Sequence, residues 1–213
     1  MFLLPNFIIV FNITRTPIET RKKELMTQYI KNHQNEDGGW GTHIQSENST
    51  MFGSVMNYIA ARLLGNSQKS NWLQRAKRFI HKNGGAIQAP PWAKFWMSVL
   101  GVYEWVGINS ILPELWVLPE CLPFHPSRWW CHCRMVYLPM AYIYANKIKR
   151  KETATTKAIK DEIFTTPYNK VNWIQNRSSV SELDDFYKLL TQNFYIKVKQ
   201  SSTQDMLYDN QFL

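Results

Sequence analysis

The run Trp129-Trp130-Cys131-His132-Cys133-Arg134-Met135-Val136-Tyr137 brings together two thiols, an imidazole and three aromatic rings. A metal centre is the first chemistry to weigh, with His125 close by as a further ligand. Structural zinc needs Cys-x2-Cys hairpins or a second ligand pair from elsewhere, and a Cys-x-Cys without a distant partner leaves too few ligands, so no metal is expected. A thiolate of Cys131 or Cys133 activated by His132 is the second. Adjacent residues on a helix diverge by about 100° and cannot address one substrate together, so no catalytic nucleophile is expected. The third chemistry lies in the rings. Trp92, Phe95, Trp96, Tyr103, Trp105, Trp116, Trp129, Trp130 and Tyr137 either pack as a core or wall an apolar cavity whose ring faces stabilise carbocations kept from water.

Helical elements must position these rings. Apolar spacing predicts a helix over residues 18–33, with Leu25, Met26, Tyr29 and Ile30 on one face and Asp37-Gly38-Gly39 as its stop. A second is predicted over about 49–64, with Phe52, Val55, Met56, Ile59, Ala60 and Leu63 inward and Gly65 behind it. A third spans about 71–82, with Leu73, Ala76, Phe79 and Ile80 inward. A fourth starts after Pro90-Pro91 and carries the apolar rhythm through to Trp105. Pro113, Pro119, Pro123 and Pro126 forbid regular helix over residues 109–126. A helix over 127–147 and a polar one over 156–164 complete an all-α pattern of helical hairpins.

Composition agrees with a globular chain: 45% of the 213 residues are hydrophobic and 14% aromatic. The net charge of +9 would favour anionic partners by field alone. Its basic residues are scattered, the groups at 21–23 and 147–151 read as solvated faces, and no recognition motif accompanies them, so nucleic-acid binding is not expected. Cys121, Cys131 and Cys133 form an odd set without scaffold spacing, which indicates a reducing compartment. The glycosylation-type tripeptides at Asn12, Asn48 and Asn176 are read as chance. Residues 1–11 are apolar but lack a basic leader and a cleavage site, and are too short to cross a bilayer. They read as a buried helix whose upstream partner lies outside the chain.

Tyr29-Ile30-x3-Gln34-x3-Gly38-Gly39-Trp40 is similar to the QW repeat of squalene and oxidosqualene cyclases, and Arg75 to Ile80 is similar to the start of a degenerate second copy. A Gln amide can satisfy orphan backbone groups at a helix end, and a Trp beyond a tight glycine turn can cover that end, so the motif reads as structural. The Trp129 to Met140 segment resembles a signature of plant oxidosqualene cyclases. So do Asn35 to Gly41, Ser49 to Gly53, Asn57-Tyr58, Arg62 to Gly65, Phe95-Trp96 and Leu100 to Tyr103.

The resemblance covers residues 1–173 and implies part of the N-terminal domain of a squalene cyclase-like α/α-barrel, with Met1 an internal methionine of the family pattern. It implies an intramolecular isomerase that closes 2,3-oxidosqualene into a triterpene without cofactor or metal. It assigns Trp92, Trp130, His132 and Tyr137 to the substrate cavity. A His at position 132 resembles sterol-type cyclases, whereas Trp129 stands where the family usually has Met. Family members protonate the epoxide with an acid in an Asp-Cys-Thr-Ala-Glu motif, which the 213 residues lack, so no catalytic acid is assigned and the chain alone is expected to be inactive. The resemblance also implies attachment to a membrane surface, at the cytoplasmic face of the endoplasmic reticulum or a lipid droplet. The alternative is a non-enzymatic helical remnant that binds an apolar ligand, a membrane or a cyclase partner. Residues 174–213 read as a diverged tail. Within it, Lys188 to Thr203 interrupts the family pattern between Asp184-Asp185-Phe186-Tyr187 and Gln204 to Tyr208, as an unspliced intron, an altered gene model or a decaying duplicate would.

Overall fold

The computed structural model describes residues 1–184, so the interruption at Lys188 to Thr203 and the match at Gln204 to Tyr208 lie outside the described residues. Seven α-helices are joined by turns and 3-10 segments: α1 (Leu3–Thr14), α2 (Thr20–Asn32), α3 (Met51–Leu63), α4 (Asn71–Lys82), α5 (Pro91–Leu100), α6 (Cys131–Ala145) and α7 (Ala154–Ile163). Among the described residues there is no strand, only an isolated bridge between Trp40 and Thr50. The all-α expectation holds.

Helix α3 is the axis of the packing. Thr50 caps it by accepting the Gly53 N–H at 3.0 Å. Every residue from Met51 to Ala61 is buried, because α1, α2, α4, α5 and α7 all pack against it. An apolar stripe on one side is therefore not enough, and the sequence supplies Gly53, Ser54, Ala60 and Ala61 where neighbours come close. A Cβ at Gly53 would lie 2.3 Å from the Trp40 carbonyl oxygen.

Helix α4 occupies the predicted span with the predicted Leu73, Ala76, Phe79 and Ile80 buried. Helix α5 stops short of the predicted Trp105. Gly101 takes the left-handed conformation (φ 82°), and the N–H groups of Gly101 and Val102 turn back to the Ser98 and Met97 carbonyls. Tyr103 and Trp105 are instead buried in the turns that follow. Residues 109–126 carry only short 3-10 turns, as their prolines require. Helix α6 begins at Cys131, later than predicted, because Pro126–Arg128 closes a 3-10 turn in which His125 accepts the Ser127 N–H.

The predicted inner face of α2 is corrected, and α1, read from sequence as a buried helix whose upstream partner lies outside the chain, is buried on one side. In α1 only Pro5, Asn6, Ile8 and Ile9 are buried, while Leu3, Phe7 and Val10 are exposed, and Phe2, just before the helix, is partly exposed and stacks on Phe52 of α3 at 5.0 Å. In α2 only Ile30 is buried, and Leu25 and Tyr29 are exposed. Periodicity located the α2 face, but among its residues only Ile30 is fully covered. Phe2, Leu3, Leu4, Leu25 and Tyr29, with Met1, Met26, Thr42 and His43, line an open groove of about 960 Å³.

Buried polar ties connect distant parts of the chain. Arg62 of α3 grips Glu162 of α7 with two bonds of 2.8 and 3.0 Å, Tyr58 donates to the same carboxylate at 2.8 Å, and His81 Nε2 lies 2.7 Å from the Glu162 carbonyl oxygen. Residues 174–184, assigned from sequence to the tail, bond to the helical body. Ser181 N–H donates to the Gln88 carbonyl, and the Asp184 carboxylate accepts the Met51 and Phe52 N–H groups at 2.7 Å each. Lys94 is wholly buried, and its ammonium donates to the carbonyls of Asn176 (2.9 Å), Arg177 (3.4 Å) and Ser179 (2.7 Å).

Candidate functional site

The QW-like residues sit where α2 ends. The Trp40 indole N–H donates at 2.8 Å to the carbonyl of Ile30, one of the four that a helix C-terminus leaves without an intrahelical partner. Gln34 extends the junction to α4, its amide donating to the Gly38 and Trp72 carbonyls at 2.8 Å each. The Trp40 and Trp72 rings meet edge to face with centroids 6.2 Å apart. Gly38 supplies the left-handed turn between them (φ 94°). Tyr29 stays outside, its ring against His33 at 4.3 Å. This group joins two helices, with Trp40 wholly buried in the junction and Tyr29 on the rim of the groove along α1 and α2.

The aromatic rings form two separate groups. The first is on α5 and the turn behind it. Trp92 is half-buried, stacked on Phe95 and edge-on to Trp96, and Phe95 continues to Trp105 at 5.7 Å. Trp105 then meets Tyr144 near the end of α6 at 5.8 Å. The indole N–H groups of Trp92, Trp96 and Trp105 are buried with no acceptor among the described residues. One cation already uses this group, since Lys147 Nζ lies 3.2 Å from the Tyr144 ring centroid and 5.9 Å from that of Trp105. Ring faces of this kind attract positive charge through their quadrupole.

The second group is at the start of α6, about 20 Å along the helix from its other end. Trp130 is 69% exposed and its ring stands edge-on to His132 at 4.5 Å, with His132 also exposed. Trp129 meets Tyr137 at 4.9 Å, and the Tyr137 hydroxyl donates to the Leu112 carbonyl at 3.2 Å. Partial burial raises the Tyr137 pKa. Of the four residues assigned to a cavity, Trp130 and His132 are therefore together, Tyr137 is on the next two turns of the same helix, and Trp92 belongs to the other group. No ring contact joins Trp92 to the other three among the described residues. Cys131 and Cys133 are exposed free thiols beside them.

Lys94, Glu162 and Asp184 are the positioning residues that sequence reasoning passed over. The signal for Lys94 was a single charge inside the apolar run Trp92-Ala93-Lys94-Phe95-Trp96-Met97. Glu162 had no local signal, and Asp184 stood out only as part of a family-like segment, because their partners lie about a hundred residues away or more.

An all-α body with half-covered aromatic groups and a Gln–Trp helix junction is consistent with the resemblance to squalene and oxidosqualene cyclases, and comparison with known proteins agrees. Residues 3–206 match the squalene-hopene cyclase N-terminal domain. The chain is 44% identical to the lanosterol synthase of Gibberella zeae over 188 residues, which cover 88% of this chain and 24% of that protein. It is 43% identical to the cycloartenol synthase of Dictyostelium discoideum over 189 residues (88% and 27%), and 40% identical to human lanosterol synthase over 187 (88% and 25%). The chain belongs to the squalene-hopene cyclase N-terminal domain family, and its relatives are oxidosqualene cyclases. It spans about a quarter of the length of the curated relatives it matches.

Proposed function

We propose that this chain supplies one wall of the cavity in which an oxidosqualene cyclase closes 2,3-oxidosqualene into a sterol-type triterpene. The carrying observation is the half-covered aromatic surface of α5 and α6, where Lys147 already rests on a ring face. Polyene cyclisation passes positive charge along the substrate, and rings fixed by their neighbours stabilise that charge without reorganising. Trp92, Trp130, His132 and Tyr137 serve as cavity residues in this reading. The reaction begins with epoxide protonation by a general acid, and the Asp-Cys-Thr-Ala-Glu motif for that step is not among the 213 residues.

Two measurements test the reading. The purified chain, given 2,3-oxidosqualene, yields no cyclised product by mass spectrometry, and a product would refute the need for an acid from elsewhere. Spliced in register into the Dictyostelium cycloartenol synthase, the chain supports cyclisation, and Trp130→Ala lowers it roughly tenfold, the size of one lost cation–π contact. An unchanged rate would remove Trp130 from the cavity.

The groove along α1 and α2 favours a second role for the same chain. Phe2, Leu3, Leu25 and Tyr29 are exposed around it, and contiguous apolar surface of this kind docks on a membrane, an apolar ligand or another part of a cyclase. Among the described residues no helix is long and apolar enough to cross a membrane. We infer attachment to one surface, which the family resemblance puts at the cytoplasmic face of the endoplasmic reticulum or a lipid droplet. Flotation with liposomes tests it, and a monodisperse chain that ignores vesicles would count against it.

A further inference from the structure

A small polar cavity of about 160 Å³ lies where the last turns of α1 and α3 meet the start of α2 and the segment leading to α7. Three cations line it, Arg15, Lys23 and Arg150, and no carboxylate does. Glu19 is engaged with Lys22 at 3.5 Å and Glu152 with Lys160 at 2.8 Å, and Glu24, next to Lys23 in sequence, does not line the cavity. Among the described residues, Arg150 Nη1 is buried and has no hydrogen-bond partner. A charged donor taken from water without an acceptor is costly, more so beside a like charge. Burial, with Arg15 alongside, holds the Arg150 guanidinium below its usual pKa. Arg15 also keeps a left-handed backbone (φ 58°), a conformation in which glycine is the usual residue.

The negative ends of α1 and α3 point toward this region and offset part of the charge, yet no carbonyl accepts from Arg150 Nη1. The volume corresponds to several water molecules at about 30 Å³ each, and so to one tetrahedral oxyanion. Guanidinium groups match such oxyanions with paired N–H donors, and Lys23 adds a point charge.

We propose that the Arg15, Lys23 and Arg150 cavity binds a phosphate-class oxyanion, either free or as the headgroup of a lipid. This site is separate from the aromatic surfaces and does not depend on the cyclase reading. The anion would fasten α1, α2 and α3 to the segment between α6 and α7, so its arrival is read as stabilisation.

The test titrates inorganic phosphate into the 213-residue chain, following the melting temperature and the heat of binding, with chloride at matched ionic strength as reference. Saturable binding specific to phosphate is expected, about tenfold weaker in Arg150→Gln and in Lys23→Gln, as for the loss of one charge-assisted contact. Lys69→Gln, which removes an exposed cation elsewhere, leaves it unchanged. Phosphatidylcholine vesicles with and without phosphatidic acid form the second arm. Binding that needs phosphatidic acid and Arg150, without affinity for inorganic phosphate, assigns the lipid headgroup. Phosphate binding with no vesicle binding assigns the free ion. The proposal is overturned if neither probe binds, or if wild type and Arg150→Gln respond alike.

Discussion

Helices α3 and α6 are built from similarly apolar sequence and end in opposite situations. Eleven consecutive residues of α3, Met51 to Ala61, are buried, whereas in the fifteen residues of α6 only Ala141 is. Met135, Val136, Leu138 and Tyr142 of α6 are exposed, although each would suit a core. The difference is the company. Five helices cover α3, while the described residues give α6 the proline-rich segment at Leu112 and Trp116 on one side and Trp105 at one end. Hydrophobicity creates the demand for burial, and only a neighbour meets it.

This contrast can be broken at the ties that hold the covered region together. The largest effect is expected at Glu162, where removal leaves the half-buried Arg62 without its carboxylate and the buried Tyr58 hydroxyl without its acceptor. Glu162→Ala should cost about 3–5 kcal/mol in urea unfolding. A loss below about 1 kcal/mol would mean that α7 is as loosely attached as α6.

Next in size is the pH dependence from Lys94, whose pKa burial lowers from 10.5 to about 8. The folded chain holds this proton less tightly than the unfolded chain. Stability therefore rises with pH from about 8 toward 10.5, by up to about 1.4 kcal/mol per pH unit. Tyr58, Tyr103 and Tyr168 have pKa values raised chiefly by burial, and they lower stability only above their ordinary value of about 10. Unfolding free energies between pH 8 and about 9.5 carry the Lys94 effect together with a rise of the same sign from Tyr144, whose pKa its bond to Ser110 holds below the usual value. Lys94→Met should flatten the rise, and an unaltered slope would assign it to another group.

The smallest effects come from a pair of tryptophans. Trp40→Phe loses the bond to the Ile30 carbonyl and should cost about 1–3 kcal/mol, while Trp130→Ala on the open surface should stay within about 0.5 kcal/mol. Equal losses by thermal denaturation would show that α6 is covered as fully as α3.

Sequence legibility followed the range of each interaction. The span of α4, its four inward residues and the irregular 109–126 segment depend on i, i+3, i+4 spacing and on proline, and these were read correctly. The end of α5 was legible too, since Gly101 carries the usual stop signal, but an unbroken apolar rhythm to Trp105 hid it. The face of α2 was misread, because Leu25 and Tyr29 have helical spacing whether or not a neighbour reaches them. At the candidate site, the sequence placed Trp130, His132 and Tyr137 on one helix. It carried no sign that Trp92 would sit in a different aromatic group.

From the sequence alone came the helices, their glycine and proline stops, and the absence of a known acid motif, because each depends on residues adjacent in the chain. Tertiary structure decided the rest. It chose which apolar faces are covered, set Lys94 under three carbonyls, paired Arg62 with Glu162 and gathered Arg15, Lys23 and Arg150 around one cavity. Those outcomes depend on groups distant in sequence meeting at a few ångströms, where burial strengthens electrostatics and raises the cost of an unpaired polar group.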